Sequence, residues 1–378
     1  FLRYGVNRRP AAERRPIVVW NCTQRCNLEC EHCYSRSDAS TCSDELTTVQ
    51  ARAMIDDLAA FGCPVLLFSG GEPLVRKDVP ELAEYARSKG LRAVISTNGT
   101  LIDRAMAERL QTIGLSYVGI SIDGSEETHD RFRCKQGAFQ SAVRGIRNCR
   151  DAGLKVGLRF TMVKDNLADI PAVFDLMEAE QIPRICFYHL VNTGRGEELH
   201  QDDGTPSHEA TRAALLLIVQ RTAALHAKGQ KIEVLTVDNH ADAPWLLRKM
   251  RAEGHPRVEA VYNLLKLNGG AASGTGVGIS CVSWNGDVYP DQFWRTKKLG
   301  NILETSFGEI WTNPRNEFLQ KLKEKQNHVT GRCAQCQYLA LCGGNFRARA
   351  EASTGDLWST DPACYLSDEE ISVEKVSS

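Results

Sequence analysis

The sequence of 378 residues has no hydrophobic run long enough to cross a membrane, almost no net charge, and no internal repeat or low-complexity segment. A helix needs about 20 consecutive apolar residues to span a bilayer, so we expect no transmembrane segment. Lysine and arginine (46) nearly balance aspartate and glutamate (47), which leaves no overall field to attract nucleic acid or an anionic membrane. The composition favours a soluble, cytoplasmic protein with a small or locally recognised substrate.

Cysteine is present in excess, with 14 residues in the chain. Cys26, Cys30 and Cys33 form a compact group directly after an apolar run. Three thiolates do not close a four-cysteine zinc site and do not pair evenly as disulfides. A four-iron cluster with one iron left open suits three ligands, whereas a zinc ion completed by His32 is the alternative interpretation.

A second group of cysteines lies near the C-terminus and has the spacing of a fully ligated metal site: Cys333, Cys336, Cys342 and Cys364. Its four thiolates suit either a 4Fe-4S cluster or a structural zinc ion. We expect the remaining cysteines to be unligated small hydrophobic residues, including Cys281 beside a predicted hairpin.

The first half of the chain alternates short apolar runs with amphipathic segments of helical period, which predicts β-α units. Six strands are predicted, at 16–21, 64–69, 92–97, 117–123, 155–163 and 184–190. Six such units predict an α/β fold with a partial (β/α)6 barrel, and ligands bind at the carboxyl ends of its strands. Helices are predicted to end at Gly62 and Gly90, and Asn285-Gly286 predicts a hairpin with a type I′ turn.

Two motifs together resemble those of radical S-adenosylmethionine (SAM) enzymes: "CNLECEHC" (26–33), with CxxxCxxC spacing, and "SGGEP" (69–73). The resemblance implies a 4Fe-4S cluster on Cys26, Cys30 and Cys33, whose open iron is chelated by SAM. It also implies that Gly70, Gly71 and Glu72 receive the ammonium group of the cofactor, and that His32 lies near its adenine.

Polar residues at the other strand ends would, by the same resemblance, surround the ribose and carboxylate of the cofactor: Ser96, Asn98, Ser121, Asp123 and Arg159. Arg144, which lies between the predicted strands at 117–123 and 155–163, is an equal candidate for the carboxylate contact. A guanidinium group binds a carboxylate with two parallel hydrogen bonds. Ordinary turn chemistry at strand ends is the alternative interpretation for each of these residues.

The C-terminal cysteine pattern resembles the auxiliary-cluster (SPASM/twitch-like) domains of the same enzymes, which implies a second 4Fe-4S cluster. We therefore expect an N-terminal arm at 1–15, the barrel at 16–195, a helical linker region that faces the substrate at 196–275, and the auxiliary-cluster domain at 276–378.

Longer stretches resemble one branch of the family, the haem-pathway enzymes that act on 12,18-didecarboxysiroheme; among them are "FYHLVNTGRG" (187–196) and "GRCAQCQYLALCGGNFRARAEASTGDLWSTDPACYL" (331–366). The implied activity is removal of two acetate side chains to give iron-coproporphyrin III, in the siroheme-dependent route to haem. The sister activity, removal of propionates towards haem d1, stays open, although "VLTVDNHAD" and "CVSWNGDVYPDQFW" favour the deacetylase. A radical peptide maturase and a non-enzymatic zinc-binding module are two further interpretations of the chain.

The bonds to be broken in such a substrate are unactivated, and no side-chain acid or base cleaves them at an ordinary pKa. The resemblance implies that an external low-potential donor, such as ferredoxin or flavodoxin, reduces the first cluster, and that SAM then yields a 5′-deoxyadenosyl radical. An iron tetrapyrrole also offers an axial position, for which His189 and His240 are candidates. Arg195 is a candidate for binding a substrate carboxylate. Ordinary hydrogen-bonded histidines and a solvated arginine are the simpler interpretations.

Overall fold

The computed structural model describes residues 15–40, 42–267 and 274–372. The predicted N-terminal arm lies outside these ranges except for Arg15. Within the described part, no helix is both long enough and apolar enough to span a bilayer.

The strands of the described residues form one ten-stranded sheet with the order β10-β9-β8-β1-β2-β3-β4-β5-β6-β7. Their bounds are β1 (Ile17–Thr23), β2 (Val65–Gly70), β3 (Arg92–Thr97), β4 (Val118–Ser121), β5 (Val156–Met162), β6 (Arg184–His189), β7 (Glu233–Val237), β8 (Ile279–Val282), β9 (Asp287–Tyr289) and β10 (Gly300–Asn301). Neighbouring strands from β8 through β1 to β7 are parallel, and only the β8-β9-β10 end is antiparallel.

Helices cover the sheet and connect its parallel strands, and further helices follow the last strand. They are α1 (Thr48–Phe61), α2 (Val79–Ser88), α3 (Arg104–Thr112), α4 (Glu126–Phe132), α5 (Ala138–Asp151), α6 (Ile170–Ala179), α7 (Arg195–Gln201), α8 (His208–Ala227), α9 (Asp242–Ala252), α10 (Val258–Leu267), α11 (Phe307–Thr312), α12 (Glu317–Lys323), α13 (Gly331–Ala334), α14 (Leu339–Cys342), α15 (Arg347–Thr354) and α16 (Asp368–Ile371). Local sequence explains the limits of α1, because Thr47 forms a capping box with Gln50 and Gly62 adopts a left-handed φ of 84°.

Alternate residues of the parallel strands face two different environments. In β1, Val18 and Trp20 belong to the main core, which includes residues of the covering helices, whereas Val19 between them lines a cavity inside the curved sheet. In β2, Leu66 and Phe68 face the same core, and Leu67 faces the cavity. This period of two confirms the predicted partial barrel and leaves its concave side for ligands.

The six predicted strands correspond to β1 to β6, but the sheet extends beyond them at both edges. Strand β7 lies in the segment predicted to be helical, and its Val237 pairs with Tyr188 of β6. At the other edge, β8 pairs with β1 through Cys281 and Val19. Each added strand pairs with a barrel strand that is distant in sequence. Because this pairing stabilises β7, the local periodicity of its sequence did not identify it as a strand.

The hairpin between β8 and β9 is present, but the predicted type I′ turn is wrong. A type I′ turn needs positive φ at both central residues, whereas Gly286 has a φ of +88° and Asn285 does not have a positive φ. The Asn285 Oδ1 atom accepts hydrogen bonds from Ser283 Oγ (2.6 Å) and from the backbone N–H of Asp287 (3.2 Å). These bonds stabilise a turn in which only the glycine is left-handed.

Helix α5 packs so closely on the loop after β3 that its Gly145 has no room for a side chain. A Cβ atom there would lie 2.3 Å from the carbonyl oxygen of Gly99. We expect Gly145→Ala to destabilise the fold by about 1–3 kcal/mol, because backbone must move to relieve the overlap. Thermal unfolding of the anaerobic holoprotein measures this loss, and Gln140→Ala on the exposed side of the same helix is the control. An unchanged unfolding temperature for Gly145→Ala would contradict the close packing.

Candidate active site

The carboxyl ends of the central strands open onto one solvent-accessible cavity. Cys26, Cys30 and Cys33 line this cavity together with Gly70 and Gly71. The two motifs that lie far apart in the sequence therefore share one wall of a single cavity. The location is the one expected for ligands of a parallel β/α barrel.

Each of the three cysteine sulfurs receives a hydrogen bond. The backbone N–H of Leu28 donates to Cys26 Sγ and that of Ser37 donates to Cys33 Sγ, both at 3.4 Å. Arg133 Nη1 donates to Cys30 Sγ at 3.4 Å. Burial nevertheless raises the pKa of Cys26 to about 12 and raises the pKa of Cys30. Because ligation displaces the thiol proton, a positively charged metal centre is the partner that suits such buried sulfurs.

The segment after β2 lies against the cysteine loop with no space for side chains. The backbone N–H of Gly71 donates to Thr23 O and that of Glu72 donates to Arg25 O, both at 2.9 Å. A Cβ atom on Gly71 would lie 2.1 Å from Arg25 O, so glycine is required there by close approach. The backbone of this segment therefore borders the cavity directly.

Glu72 is fully buried and its carboxylate is already occupied. It accepts hydrogen bonds from Thr97 Oγ1 (2.8 Å), from the backbone N–H of Asn98 (2.8 Å) and from that of Leu74 (3.1 Å). Burial raises the pKa of Glu72. In this structure the side chain fixes the end of β3, and it does not line the cavity that Gly70 and Gly71 line.

His32 lines the cavity and stacks on Phe132, with ring centroids 4.3 Å apart and planes 3° apart. Burial lowers the pKa of His32 to about 3, so the ring is neutral. Its Nδ1 atom is buried and has no hydrogen-bond partner. Buried polar atoms are usually hydrogen-bonded. The edge of a heterocyclic ligand in the cavity would supply the missing hydrogen-bond partner of this nitrogen.

Four of the strand-end residues proposed from the sequence also line the cavity: Ser96, Asn98, Ser121 and Arg159. Asn98 Nδ2 donates to Asn27 Oδ1 at 2.9 Å, which links the end of β3 to the cysteine loop. The guanidinium group of Arg159 lies 4.4 Å from the ring centroid of Tyr188. No carboxylate of the described residues forms an ion pair with Arg159, so a ligand anion can approach it.

Asp123 and Arg144 do not line the cavity. Asp123 pairs with Arg133 and also accepts a hydrogen bond from the backbone N–H of Thr161 (2.7 Å). Burial is the largest effect and alone would raise the pKa of Asp123, but the charge of Arg133, with smaller contributions from neighbouring histidines and from the N–H of Thr161, holds this pKa below its usual value. Arg144 is exposed on α5 and donates to Ser141 Oγ at 2.8 Å. Of the two arginines proposed for a carboxylate, the structure brings only Arg159 to the cavity.

The three residues proposed to contact the substrate lie in different places. His189 lines the cavity, and its Nε2 atom lies 2.9 Å from Asp242 Oδ2. His240 is half-buried and lies outside the cavity, with Nδ1 3.2 Å from the carbonyl oxygen of Cys342, and removal from water lowers its pKa to about 3. Arg195 donates to the carbonyl oxygens of Cys30 (2.7 Å) and Ser37 (2.9 Å), so it binds the cysteine loop.

The four C-terminal cysteines line a second, smaller pocket of about 390 Å³. Cys333 and Cys342 belong to α13 and α14, and Cys336 and Cys364 lie in loops beside them. Burial raises the pKa of Cys364 to about 11 and that of Cys342 well above its usual value. These buried thiols, like those of the first group, suit ligation to a metal centre.

Two side chains that were not predicted from the sequence also line the first cavity. Asp238 follows β7, and Gln292 follows the β8-β9 hairpin; Asp238 Oδ2 and Gln292 Oε1 are both buried without a hydrogen-bond partner. Burial raises the pKa of Asp238 to about 7. Its segment, "VLTVDNHAD", supplied only His240 as a candidate, because β7 was not predicted and Asp238 was therefore not recognised as a strand-end residue.

Comparison with known proteins agrees with this geometry. The profile of the Radical SAM superfamily matches residues 20–177, and that of the SPASM iron-sulfur cluster-binding domain matches residues 277–337. The chain is 55% identical to "Fe-coproporphyrin III synthase" of Methanosarcina barkeri (strain Fusaro / DSM 804), over 95% of this chain and 90% of the relative. The chain belongs to the radical SAM superfamily. It is a radical SAM enzyme that carries iron-sulfur chemistry and binds SAM, as predicted.

Other similar proteins support the same family and fold. "Pre-heme d1 synthase" of Dinoroseobacter shibae (strain DSM 16493 / NCIMB 14021 / DFL 12) is 40% identical, over 93% of this chain and 86% of the relative. The solved structure "Native anSMEcpe with bound AdoMet" superposes with a TM-score of 0.72 at 18% identity, covering 95% of this chain and 96% of that chain. At this identity the structural match establishes the fold alone.

The site makes a direct prediction about which thiols matter. We expect Cys30→Ala to abolish formation of 5′-deoxyadenosine from SAM and dithionite, because the sulfur that lines the cavity beside Arg133 is lost. Cys42→Ala is the control, since Cys42 lies outside the cavity and bonds Asp44 at 2.7 Å. Chromatography of the anaerobic reaction quantifies the nucleoside. Equal losses in both variants would show that the wrong thiols were assigned.

Proposed function

We propose that this enzyme removes the two acetate side chains of 12,18-didecarboxysiroheme and so forms iron-coproporphyrin III in the siroheme-dependent route to haem. The observation that carries the proposal is the 55% identity, over 95% of this chain, to a relative named Fe-coproporphyrin III synthase. The cavity that combines the cysteine group with Gly70 and Gly71 supports it, because this chemistry needs a radical source next to the substrate.

We further propose two 4Fe-4S clusters, one on Cys26, Cys30 and Cys33 and one on the four C-terminal cysteines. Each cysteine group lines one pocket, which supports this assignment. A mononuclear zinc ion needs four ligands around one point, whereas a cubane takes one thiolate at each iron. The expected domain limits, 16–195, 196–275 and 276–378, belong to the same proposal.

SAM would bind between the cysteine loop and the strand ends. The backbone of Gly70 and Gly71 borders that space, His32 offers an unpaired ring nitrogen, and Arg159 offers a guanidinium group that lies over the ring of Tyr188. Ser96, Asn98 and Ser121 line the same wall and supply hydroxyl and amide groups for a ribose. When bound and reduced by an external low-potential donor such as ferredoxin or flavodoxin, the cluster and SAM supply a 5′-deoxyadenosyl radical. We propose that the enzyme acts in the cytoplasm.

His189 is the better of the two histidines proposed as axial ligand to the substrate iron. Its hydrogen bond to Asp242 fixes the ring, and Tyr365 donates to the other carboxylate oxygen at 2.8 Å. A histidine held by a carboxylate is the arrangement that orients many metal ligands. His189 also lines a neighbouring pocket, so it lies between that pocket and the first cavity.

Axial ligation by His189 predicts a spectroscopic change. We expect His189→Ala to alter the absorption and electron paramagnetic resonance of bound 12,18-didecarboxysiroheme, since a nitrogen ligand to its iron is removed. His226→Ala, at an exposed histidine of α8, is the control. Identical spectra for wild type and His189→Ala would rule out this ligand and would leave His240 to be tested in the same way.

The reaction itself is tested by product mass. Anaerobic enzyme with dithionite, SAM and 12,18-didecarboxysiroheme should yield iron-coproporphyrin III, with Cys30→Ala as the inactive control. Loss of propionates instead of acetates would establish the sister activity, which the 40% identity to a pre-heme d1 synthase makes the second candidate. An unchanged tetrapyrrole, in a preparation that still cleaves SAM, would contradict both and would favour another substrate such as a peptide.

A further inference from the structure

Asp238 and Gln292 both line the cavity that holds the cysteine group, and each has a buried oxygen without a hydrogen-bond partner. They come from separate parts of the chain, since Asp238 follows β7 and Gln292 follows β9. Both Asp238 Oδ2 and Gln292 Oε1 are buried and have no hydrogen-bond partner. Leaving one buried polar oxygen unpaired costs stability, and two on the same cavity wall indicate that a ligand completes them.

The backbone at Asp238 is also unusual. Its φ is +68°, a region that non-glycine residues occupy at an energetic cost. The preceding residue, Val237, is paired with Tyr188 of β6, so the strand delivers Asp238 to the cavity rim next to His189. One residue thus combines backbone strain with an unpaired carboxyl oxygen, a combination that folding alone does not favour.

The charged groups around Asp238 do not supply its missing partner. Arg349 pairs with Asp361 at 2.9 Å, and His189 is bonded to Asp242 at 2.9 Å. Asp291 accepts from Thr275 and from two backbone N–H groups. Arg159 faces Tyr188 and forms no hydrogen bond with Asp238. These groups act on Asp238 through charge, and its Oδ2 atom has no hydrogen-bond partner among the described residues.

The position of the two side chains restricts the ligand group that they meet. A substrate carbon that reacts must lie close to the radical source, hence near the wall with Cys26, Cys30, Cys33 and the glycine pair. Asp238 and Gln292 line this same cavity. A carboxyl group that faces another carboxyl group binds by sharing one proton, and a glutamine amide both donates to and accepts from such a group.

We propose that Asp238 and Gln292 bind the acetate carboxyl group that the reaction removes. The inference rests on the proposed function. By binding the acetate, these two residues determine which side chain of the tetrapyrrole reacts, whereas the propionates lie elsewhere. Product that has lost its acetates then has no group for this pair, which favours its release.

The test compares the binding of two tetrapyrroles. Anaerobic holoenzyme without reductant is titrated with 12,18-didecarboxysiroheme and, separately, with iron-coproporphyrin III, and absorption gives each dissociation constant. We expect Asp238→Ala and Gln292→Leu to weaken binding of the acetate-bearing tetrapyrrole by about tenfold or more, since hydrogen bonds to a charged group are lost. Binding of iron-coproporphyrin III should stay within about twofold of wild type. Asp238→Asn should restore part of the affinity, because its amide donates to a carboxylate.

Asp203→Ala is a matched control, because Asp203 also has a positive φ (60°) but is exposed and lies outside the cavity. Asp238→Ala should unfold at the same temperature as wild type or higher, since Oδ2 has no internal hydrogen bond to lose. Equal weakening for both tetrapyrroles, or for neither, would overturn the assignment of Asp238 and Gln292 while leaving the proposed function intact. Failure of wild-type enzyme to bind either tetrapyrrole would overturn the proposed function and this inference together.

Discussion

The site depends on the close contact between the backbone that follows β1 and the backbone that follows β2. Parallel pairing brings Asn21 opposite Ser69 and Thr23 opposite Gly70, after which the chains diverge into the cysteine loop and the glycine segment. At Gly70 a Cβ atom would lie 2.4 Å from Thr23 O, so the contact exists only between bare backbones. Because of it, three sulfurs and an exposed peptide backbone border the same space.

Buried charges hold the cysteine loop in place from several strands at once. Glu72 bonds the end of β3, and Asp123 at the end of β4 binds Arg133, which reaches Cys30. Arg195, beyond β6, holds two carbonyl groups of the same loop. Breaking such a buried pair leaves an uncompensated charge, so the network makes the loop geometry a property of the whole barrel.

The C-terminal part of the chain completes the cavity as well as carrying its own cysteine group. Strand β8 extends the barrel sheet beside β1, and the segment after its hairpin brings Gln292 to the cavity wall. A hydrogen-bonded series from His189 through Asp242 to Tyr365 ends next to Cys364. This series links the wall of the first cavity to the segment that carries Cys364.

The sequence by itself determined the elements whose signals are local. Short apolar runs identified β1 to β6, glycines identified the ends of α1 and α2, and the spacing of the cysteines predicted two metal centres. Tertiary structure decided the rest, because contacts between distant segments set it. It formed β7 by pairing with β6, brought Arg159 but not Arg144 to the cavity, and occupied Glu72 with backbone N–H groups. It also left Asp238 Oδ2 without a partner, which no local pattern reveals, since an unpaired buried oxygen is defined by everything packed around it.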